Sequence, residues 1–196
     1  MSRVHGRVLE GQRSASDADE EALVQAAQRD LAAFGPLYAR YQDRIYTYLR
    51  TRTGQAEDAA DLTQQVFVQA LAALPRYRAR GISIAAWLFR IARNVATDWQ
   101  RCQRPTVSWD AVPEAFHPRA SETADGALLR REAYAPLYVL LAGLDTQTRE
   151  VLILRFTAQL TLAEIGVVLG KSEDAARKQI TRALHALKEQ YHDDIA

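Results

Sequence analysis

The sequence predicts an all-α protein of two helical domains joined by an extended linker, with a helix-turn-helix in the second domain. Apolar residues recur at three- and four-residue spacing over long stretches, and no segment alternates as a β-strand does. One stretch without periodicity, 105–126, is rich in Pro, Ser, Ala and acidic residues, as linkers are. We therefore expect a flexible segment over 1–19, domains over 20–104 and 127–196, and the linker between them.

Composition bounds the class of protein. A chain of 196 residues that is 48% hydrophobic and 25% charged is typical of a soluble protein with one large or two small cores. No apolar run is long enough to cross a membrane and the first residues lack a signal-peptide core, so we expect a cytoplasmic protein without membrane insertion. The single cysteine, Cys102, cannot form an intrachain disulfide, and the scattered histidines form no zinc set. We expect neither a metal nor a cofactor.

Periodicity and helix breakers define the elements of the first domain. Gly35 and Pro36 interrupt its first helical segment, and Pro75 ends the second, because proline cannot continue a helix interior. A basic loop, 75–83, leads to the third segment, in which arginines lie between apolar residues. The predicted helical segments are 20–50, 57–74 and 84–101.

The second domain contains the clearest local signals. Thr161 and Glu164 form the S/T-x-x-E capping box that opens a helix, Gly170 can supply a left-handed turn residue, and Ser172 is a good N-cap for the next helix. Helix, tight turn and helix together make a helix-turn-helix, a motif that reads duplex DNA. The predicted helical segments are 127–144, 146–156, 161–170 and 172–190.

The same stretch raises a competing interpretation, because Gly166 to Ser172 is one residue short of a phosphate-binding loop. A nucleotide-hydrolysing enzyme using Lys171 would need a strand before that loop, and a capped helix stands there instead. The helix-turn-helix explains every residue of the stretch. The sequence contains no Ser/His/Asp set, carboxylate pair or metal cluster that would offer another chemistry, so we expect no enzymatic activity.

The net charge of +1 conceals an uneven distribution. Basic residues concentrate over 76–104 and over 171–188, and the connector between these clusters is acidic. Either cluster alone is what an ordinary solvated face looks like. Two clusters on separate bodies indicate two anion-binding surfaces.

Both domains together resemble a known family, the bacterial RNA polymerase sigma factors of the extracytoplasmic-function (group four) type. The stretches DLTQQVFVQALAALPRYR and AAWLFRIARNVATDWQRCQR are similar to the family's core-polymerase-binding helix, promoter loop and melting helix. The stretches LDTQTREVLILRF and TLAEIGVVLGKSEDAARKQITRALHAL are similar to its minus-thirty-five-reading domain. The similarity covers about residues 20–190. It implies an alternative sigma factor that binds core RNA polymerase and directs promoter-specific transcription initiation.

The resemblance implies roles for residues of the first domain. Core polymerase would bind Asp61, Gln64 and Gln65 on the exposed side of their helix. The loop would capture an unpaired base of the non-template strand, a task suited to an aromatic residue among basic ones. Trp87 also has the spacing of a core residue, and that alternative stays open. The residues implied in minus-ten binding are Arg76, Tyr77, Arg78, Ala79, Arg80, Trp87, Arg90, Arg93, Asn94 and Arg101.

In the second domain the resemblance implies that Arg149 meets a phosphate and that the last helix enters the major groove. The implied partners are core RNA polymerase, promoter DNA as duplex and as non-template single strand, and an anti-sigma factor. Gln65 stands where the family commonly has an acid, and Lys171 occupies a turn position that is often apolar. The residues implied in minus-thirty-five binding are Arg149, Lys171, Ser172, Glu173, Ala175, Lys178 and Arg182.

Two points stay open. The linker either threads the nucleic-acid channel of the polymerase, as the family resemblance implies, or is a simple tether. The whole protein could also be a helix-turn-helix repressor or activator that does not act as a polymerase subunit. Such a protein would use its first domain for dimerisation or ligand sensing, and this alternative would leave the aromatic-basic loop unexplained.

Overall fold

Two groups of helices make up the structure, a computed structural model that describes residues 19–79, 81–102 and 143–193. The first group consists of α1 (19–29), α2 (Gly35–Thr53), α3 (Ala56–Ala73) and α4 (Ile84–Cys102). The second group consists of α5 (Thr146–Leu152), α6 (Leu162–Leu169) and α7 (Glu173–Asp193). These ranges contain helices, turns and loops but no strand, which confirms the predicted all-α class. The N-terminal segment up to 18, the linker and most of the helix predicted over 127–144 lie outside the described residues.

The predicted breakers act where the sequence places them. Pro36 lies in the first turn of α2, where its missing N–H costs no hydrogen bond. Gly54 ends α2 with a φ of 73°, and its N–H donates to the Arg50 carbonyl. Pro75 lies in a short 3-10 turn, Leu74–Arg76, that follows α3. A second 3-10 turn, Leu31–Phe34, joins α1 to α2.

The core of the first group is aromatic as well as aliphatic. One face of α2 is fully buried, because its apolar residues recur at three- and four-residue spacing. The Tyr48 ring packs edge to face on Phe89 of α4, with ring centroids 5.6 Å apart. Tyr41, also fully buried, donates its hydroxyl to Glu20 of α1 at 2.7 Å. The buried residues of α2 include Leu37, Tyr41, Ile45, Tyr48 and Leu49.

The segment predicted as one helix over 146–156 divides into two parts. The α-helix α5 ends at Leu152, and a π-helical turn, Ile153–Thr157, follows. A π-turn admits an extra residue into the helical ladder. It leads into a bend in which Gln159 has a φ of 55° and the Leu160 N–H donates to the Leu154 carbonyl. This bend redirects the chain into α6.

The two groups pack directly on each other. Helix α4 lies against α6, and α2 lies against the π-turn, Ile153–Thr157. Apolar residues of the second group, among them Leu154, Leu160 and Ile165, belong to the same buried cluster as the core of the first. The sequence predicted two bodies, and no local pattern indicated that their apolar faces would meet. Burying both faces removes apolar surface from water that either group alone would expose.

Candidate nucleic-acid interface

The residues predicted to bind polymerase share one exposed face of α3. Asp61, Gln64 and Gln65 are all exposed, and the opposite face, with Val66 among its residues, is buried. Val68 extends the same face by one turn and is 65% exposed although it is apolar. The prediction from sequence did not include Val68. Its helical position outside the buried stripe would have placed it on this exposed face.

The loop after α3 is built around Tyr77, which is only 8% exposed. Its ring lies against that of Trp87, with centroids 4.9 Å apart, and its hydroxyl donates to the Ile82 carbonyl at 2.7 Å. Burial raises the pKa of Tyr77, and Glu20 and Glu21 raise it further. In this conformation the ring shapes the loop from inside, so its capture of an unpaired base stays a prediction.

Two other side chains hold this loop in place. The Gln28 amide of α1 donates to the carbonyls of Leu74 and Tyr77, both at 2.9 Å. Arg78 is exposed and donates to the Tyr77 carbonyl at 2.9 Å. Arg76 and Ala79 are exposed, and Arg80 lies outside the described residues. No local pattern indicated a role for Gln28, because its partners lie 46 and 49 residues away.

Some of the predicted minus-ten residues of α4 are exposed to solvent, and others pack against neighbouring side chains. Arg90, Asn94 and Arg101 are exposed and follow one another at helical spacing. Trp87 is partly buried and its ring packs against that of Tyr77, as a core residue would, while its contact with a base stays a prediction. Arg93 is half-exposed, and its Nε lies 3.8 Å from a carboxylate oxygen of Glu150 in α5.

The turn between α6 and α7 has the geometry that the sequence predicted. Thr161 and Glu164 form a complete capping box at the start of α6. Gly170 ends α6 with a φ of 65°, and the Ser172 hydroxyl accepts a hydrogen bond from the Ala175 N–H at the start of α7. A β-carbon on Gly166 would lie 2.8 Å from the Lys171 carbonyl oxygen, so only glycine allows this close crossing.

The amide groups of this turn do not form a phosphate cradle. The Gly170 N–H donates to carbonyls of α6, and the Lys171 N–H donates to the Gly166 carbonyl at 2.8 Å. A phosphate-binding loop needs these groups free to bind oxygen anions. The Lys171 ammonium points elsewhere and donates to the Gln179 side chain at 2.9 Å. The geometry therefore supports the helix-turn-helix interpretation.

Helix α7 presents a polar face to solvent. Ala176 and Ile180 are buried, whereas Lys178 and Arg182 on the other side are exposed. Glu173 is also exposed and pairs with Arg177 one turn further along, at 2.7 Å. Ala175 is partly buried. Two cations on one exposed face of the second helix of a helix-turn-helix suit contact with phosphates and with base edges.

Arg149 is placed differently from the other predicted contacts. It is 8% exposed, and its Nη2 donates to the Leu144 carbonyl at 2.8 Å. Burial lowers the pKa of Arg149, an effect that Asp145 opposes and Arg52 strengthens. Its contact with a DNA phosphate stays a prediction.

Other kinds of site find no support in the part of the chain that the structure describes. No group of three or more His, Cys, Asp and Glu side chains there could hold a metal ion. None of the helices in the described ranges is both long and apolar enough to cross a membrane.

Comparison with known proteins identifies both helix groups. The Sigma-70 region 2 family matches residues 37–106, and the Sigma-70, region 4 family matches residues 140–189. The chain is 30% identical to the ECF RNA polymerase sigma factor BldN of Streptomyces coelicolor over 93% of its own length and 70% of that protein. It is 35% identical to the ECF RNA polymerase sigma factor ShbA of Streptomyces griseus, over 83% of this chain and 90% of ShbA.

A solved structure agrees with these matches. The structure of CnrH, in complex with the cytosolic domain of CnrY, superposes with a TM-score of 0.66 and 28% identity, and the match covers 89% of this chain and 98% of CnrH. The region matches, their order and the curated relatives all indicate one family. The chain belongs to the ECF RNA polymerase sigma factors, and it is an alternative sigma factor that binds core RNA polymerase and directs transcription initiation at promoters.

Proposed function

We propose that three exposed surfaces of this sigma factor bind three different partners. The polar face of α3, with Asp61, Gln64 and Gln65, binds core polymerase. The exposed side of α4 and the loop before it bind the minus-ten element as its strands part. The Lys178 and Arg182 face of α7 reads the minus-thirty-five element as duplex. The observation that carries this assignment is that basic faces lie exposed on both α4 and α7.

Electrostatics and geometry support the two DNA assignments. Arg90, Asn94 and Arg101 form an elongated cationic and polar stripe, which suits the backbone of a nucleic acid strand. Lys178 and Arg182 lie one turn apart on the exposed face of α7, opposite the buried residues Ala176 and Ile180. Side chains so placed reach base edges in a major groove. Each surface therefore matches the form of DNA proposed for it.

Reconstitution with core RNA polymerase tests the proposal. The chain, core polymerase and a library of random promoter fragments are mixed, and transcripts are sequenced. We expect initiation only when both proteins are present, from templates enriched in two separate sequence blocks. Specific duplex binding by the chain alone, with neither association with core nor stimulated initiation, would indicate an ordinary repressor or activator instead.

We further propose that this subunit carries out no catalysis of its own. The turn amides at Gly170 and Lys171 are already bonded to α6, which leaves no cradle for nucleotide phosphates. The purified chain should therefore show no ATP hydrolysis above a buffer control. Robust turnover that disappears in Lys171→Ala would contradict this proposal.

An anti-sigma partner and a cytoplasmic location complete the proposal. CnrH, to which this chain is similar, forms a complex with the cytosolic domain of CnrY. We expect a protein of the source bacterium to bind this chain and to compete with core polymerase. Affinity purification of the tagged chain from source cells, followed by core-binding competition with the recovered protein, tests this expectation. Recovery of core polymerase alone under all growth conditions would count against it.

A further inference from the structure

A glutamine of α1 reaches the loop after α3 and bridges its first turn. The Nε2 of Gln28 donates to the carbonyl of Leu74 and to the carbonyl of Tyr77, both at 2.9 Å. These carbonyls stand at the two ends of the 3-10 turn, Leu74–Arg76. The Tyr77 N–H also donates to the Leu74 carbonyl, at 3.0 Å. A side-chain amide nitrogen carries two N–H donors, so Gln28 uses both of them on this turn.

Helix α1 is anchored on α2, which gives the Gln28 amide a defined position. The Tyr41 hydroxyl of α2 donates to Glu20 at 2.7 Å, and the Arg40 Nε lies 3.3 Å from the same carboxylate. Val24, one helical turn before Gln28, is buried in the core of the first group. Gln28 therefore lies on the side of α1 that packs on its neighbours, and it is itself partly buried.

The bridge also sets the direction of the peptide group that leads into the exposed part of the loop. The Tyr77–Arg78 peptide is trans, and in a trans peptide the carbonyl and the following N–H point in opposite directions. Because the Tyr77 carbonyl points at Gln28, the Arg78 N–H points away from α1. Arg78 and Ala79 are both exposed. Gln28 thus determines which way the residues after Tyr77 leave the packed part of the loop.

We propose that Gln28 is a positioning residue for minus-ten recognition, because its amide holds the loop after α3 in its binding conformation before DNA is present. This role rests on the proposed function of the loop. Gln28 acts through the backbone of the loop and needs no contact with DNA. A loop that is ordered in advance loses less conformational freedom on binding, so the bridge raises the affinity for the unpaired strand.

A purely structural role for Gln28 would have different consequences. If its hydrogen bonds only stabilised the fold, their loss would lower the unfolding temperature and weaken core binding and duplex binding together. Positioning confines the loss to binding of separated strands. The proposed duplex contacts lie on α7 and the proposed polymerase contacts on α3, and neither surface includes the bridged turn. Comparing these activities within one variant therefore separates the two roles.

Hydrogen exchange measures the order of the loop in the free full-length chain. Gln28→Met matches the side chain in length and removes both donors. Amide exchange over 76–79 should become roughly tenfold faster, because the turn loses two of the hydrogen bonds that hold it. Exchange in α3 and α4 should not change. Unchanged exchange over 76–79 would overturn the proposal.

Binding by the reconstituted holoenzyme provides the second readout. With Gln28→Met, binding to a forked template that carries only the non-template strand should weaken roughly five- to tenfold. Core binding, duplex binding through the minus-thirty-five element and the unfolding temperature should stay nearly unchanged. A parallel loss of core binding and duplex binding would overturn the proposal in favour of a structural role. Faster loop exchange with normal forked binding would overturn it as well.

Gln25 supplies matched controls on the same helix. It is exposed, and its amide donates to Glu21 within α1 at 3.4 Å, so Gln25→Met should leave loop exchange and forked binding unchanged. Gln28→Glu keeps the shape of the side chain, but its carboxylate only accepts hydrogen bonds and would face two carbonyls. It should therefore weaken forked binding at least as much as Gln28→Met. Gln25→Glu adds the same charge to α1, and an equal loss in both glutamate variants would show that charge alone is responsible.

The unmodified holoenzyme distinguishes failure of this inference from failure of the proposed function. If it bound the forked template no better than closed duplex, the proposed function of the loop would be refuted. If it preferred the forked template and Gln28→Met retained that preference in full, only the role of Gln28 would be refuted. Selective loss in Gln28→Met, together with faster exchange over 76–79, is the result that the proposal requires.

Discussion

The two helices that we propose bind DNA, α4 and α7, differ in how far their predicted contact residues also pack against the rest of the protein. In α7, Lys178 and Arg182 are exposed, and the core is formed by other residues. Around α4, Tyr77 and Trp87 pack on each other and Arg93 faces Glu150. The residues that read duplex DNA need not contribute to the hydrophobic core. A surface that binds unpaired bases uses aromatic rings, and those same rings are valuable in a core.

The difference follows from side-chain chemistry. Lysine and arginine keep their charged ends in water while their aliphatic stems lie along a helix. They can therefore bind DNA with little effect on the free energy of unfolding. An aromatic ring exposed to water leaves a large apolar area unburied, which is unfavourable. Packing the ring against neighbouring side chains in the free protein removes this area from water. Substitutions on α7 should therefore separate binding from stability. Substitutions around Tyr77 should affect both.

The largest expected effect concerns duplex binding by α7. Lys178→Ala together with Arg182→Ala should weaken holoenzyme binding to linear promoter duplex by about 1–3 kcal/mol per lost base contact. Thermal unfolding should not change, because both side chains are exposed. Lys188→Ala, also exposed on α7, controls for the loss of positive charge. Rescue of binding by a pre-melted minus-ten region would contradict the assignment.

The next effect concerns the turn that positions α7. Gly166→Ala should destabilise the second domain by about 1–3 kcal/mol, because the new β-carbon meets backbone rather than a flexible side chain. Circular dichroism on heating and duplex binding should both report the loss. Gly35→Ala is the control, since a β-carbon at that position would have no neighbour within 4 Å. Equal stability of the two variants would show that α6 and α7 can shift apart freely.

A smaller effect distinguishes packing from binding in the loop. Tyr77→Phe keeps the ring and removes the hydrogen bond to the Ile82 carbonyl, so it should cost about 1 kcal/mol of unfolding free energy. Arg78→Ala removes an exposed hydrogen bond to the Tyr77 carbonyl and should cost less than about 0.5 kcal/mol of unfolding free energy. It should nevertheless weaken binding to a forked template that carries only the non-template strand. If Arg78→Ala weakened duplex binding as much as forked binding, the loop would not act on separated strands.

The smallest effect on folding is expected on α3. Replacing Asp61, Gln64 and Gln65 together with alanine should change the unfolding free energy by less than about 0.5 kcal/mol per site, because all three are exposed. Core-polymerase pull-down should nevertheless fall markedly. Gln25→Ala, on the exposed side of α1, is the control for loss of a polar side chain at the surface. Normal pull-down of the triple variant would refute the docking assignment.

The sequence by itself determined the helical class, most of the helices and the helix-turn-helix, although not the division of the segment 146–156 into an α-helix and a π-turn. Each of those signals acts within a few residues, as in the capping box of Thr161 and Glu164 or the left-handed Gly170. The family was predicted from the resemblance of stretches in both domains, in the same order, to the extracytoplasmic-function sigma factors. The exposed faces of α3 and α7 followed from helical periodicity alone, because a residue opposite the apolar stripe must face solvent.

Only the tertiary structure decided which polar and aromatic side chains turn inward. Arg149 is a surface-type residue by composition, yet it is buried and bonded to the Leu144 carbonyl. Tyr48 and Glu150 meet although 102 residues separate them along the chain. Periodicity describes one helix at a time and states nothing about which two faces will share a core. A buried tyrosine hydroxyl or carboxylate is tolerated only when each has a hydrogen-bond partner. Here the partners come from different helices, so the pairing arises only in the tertiary structure.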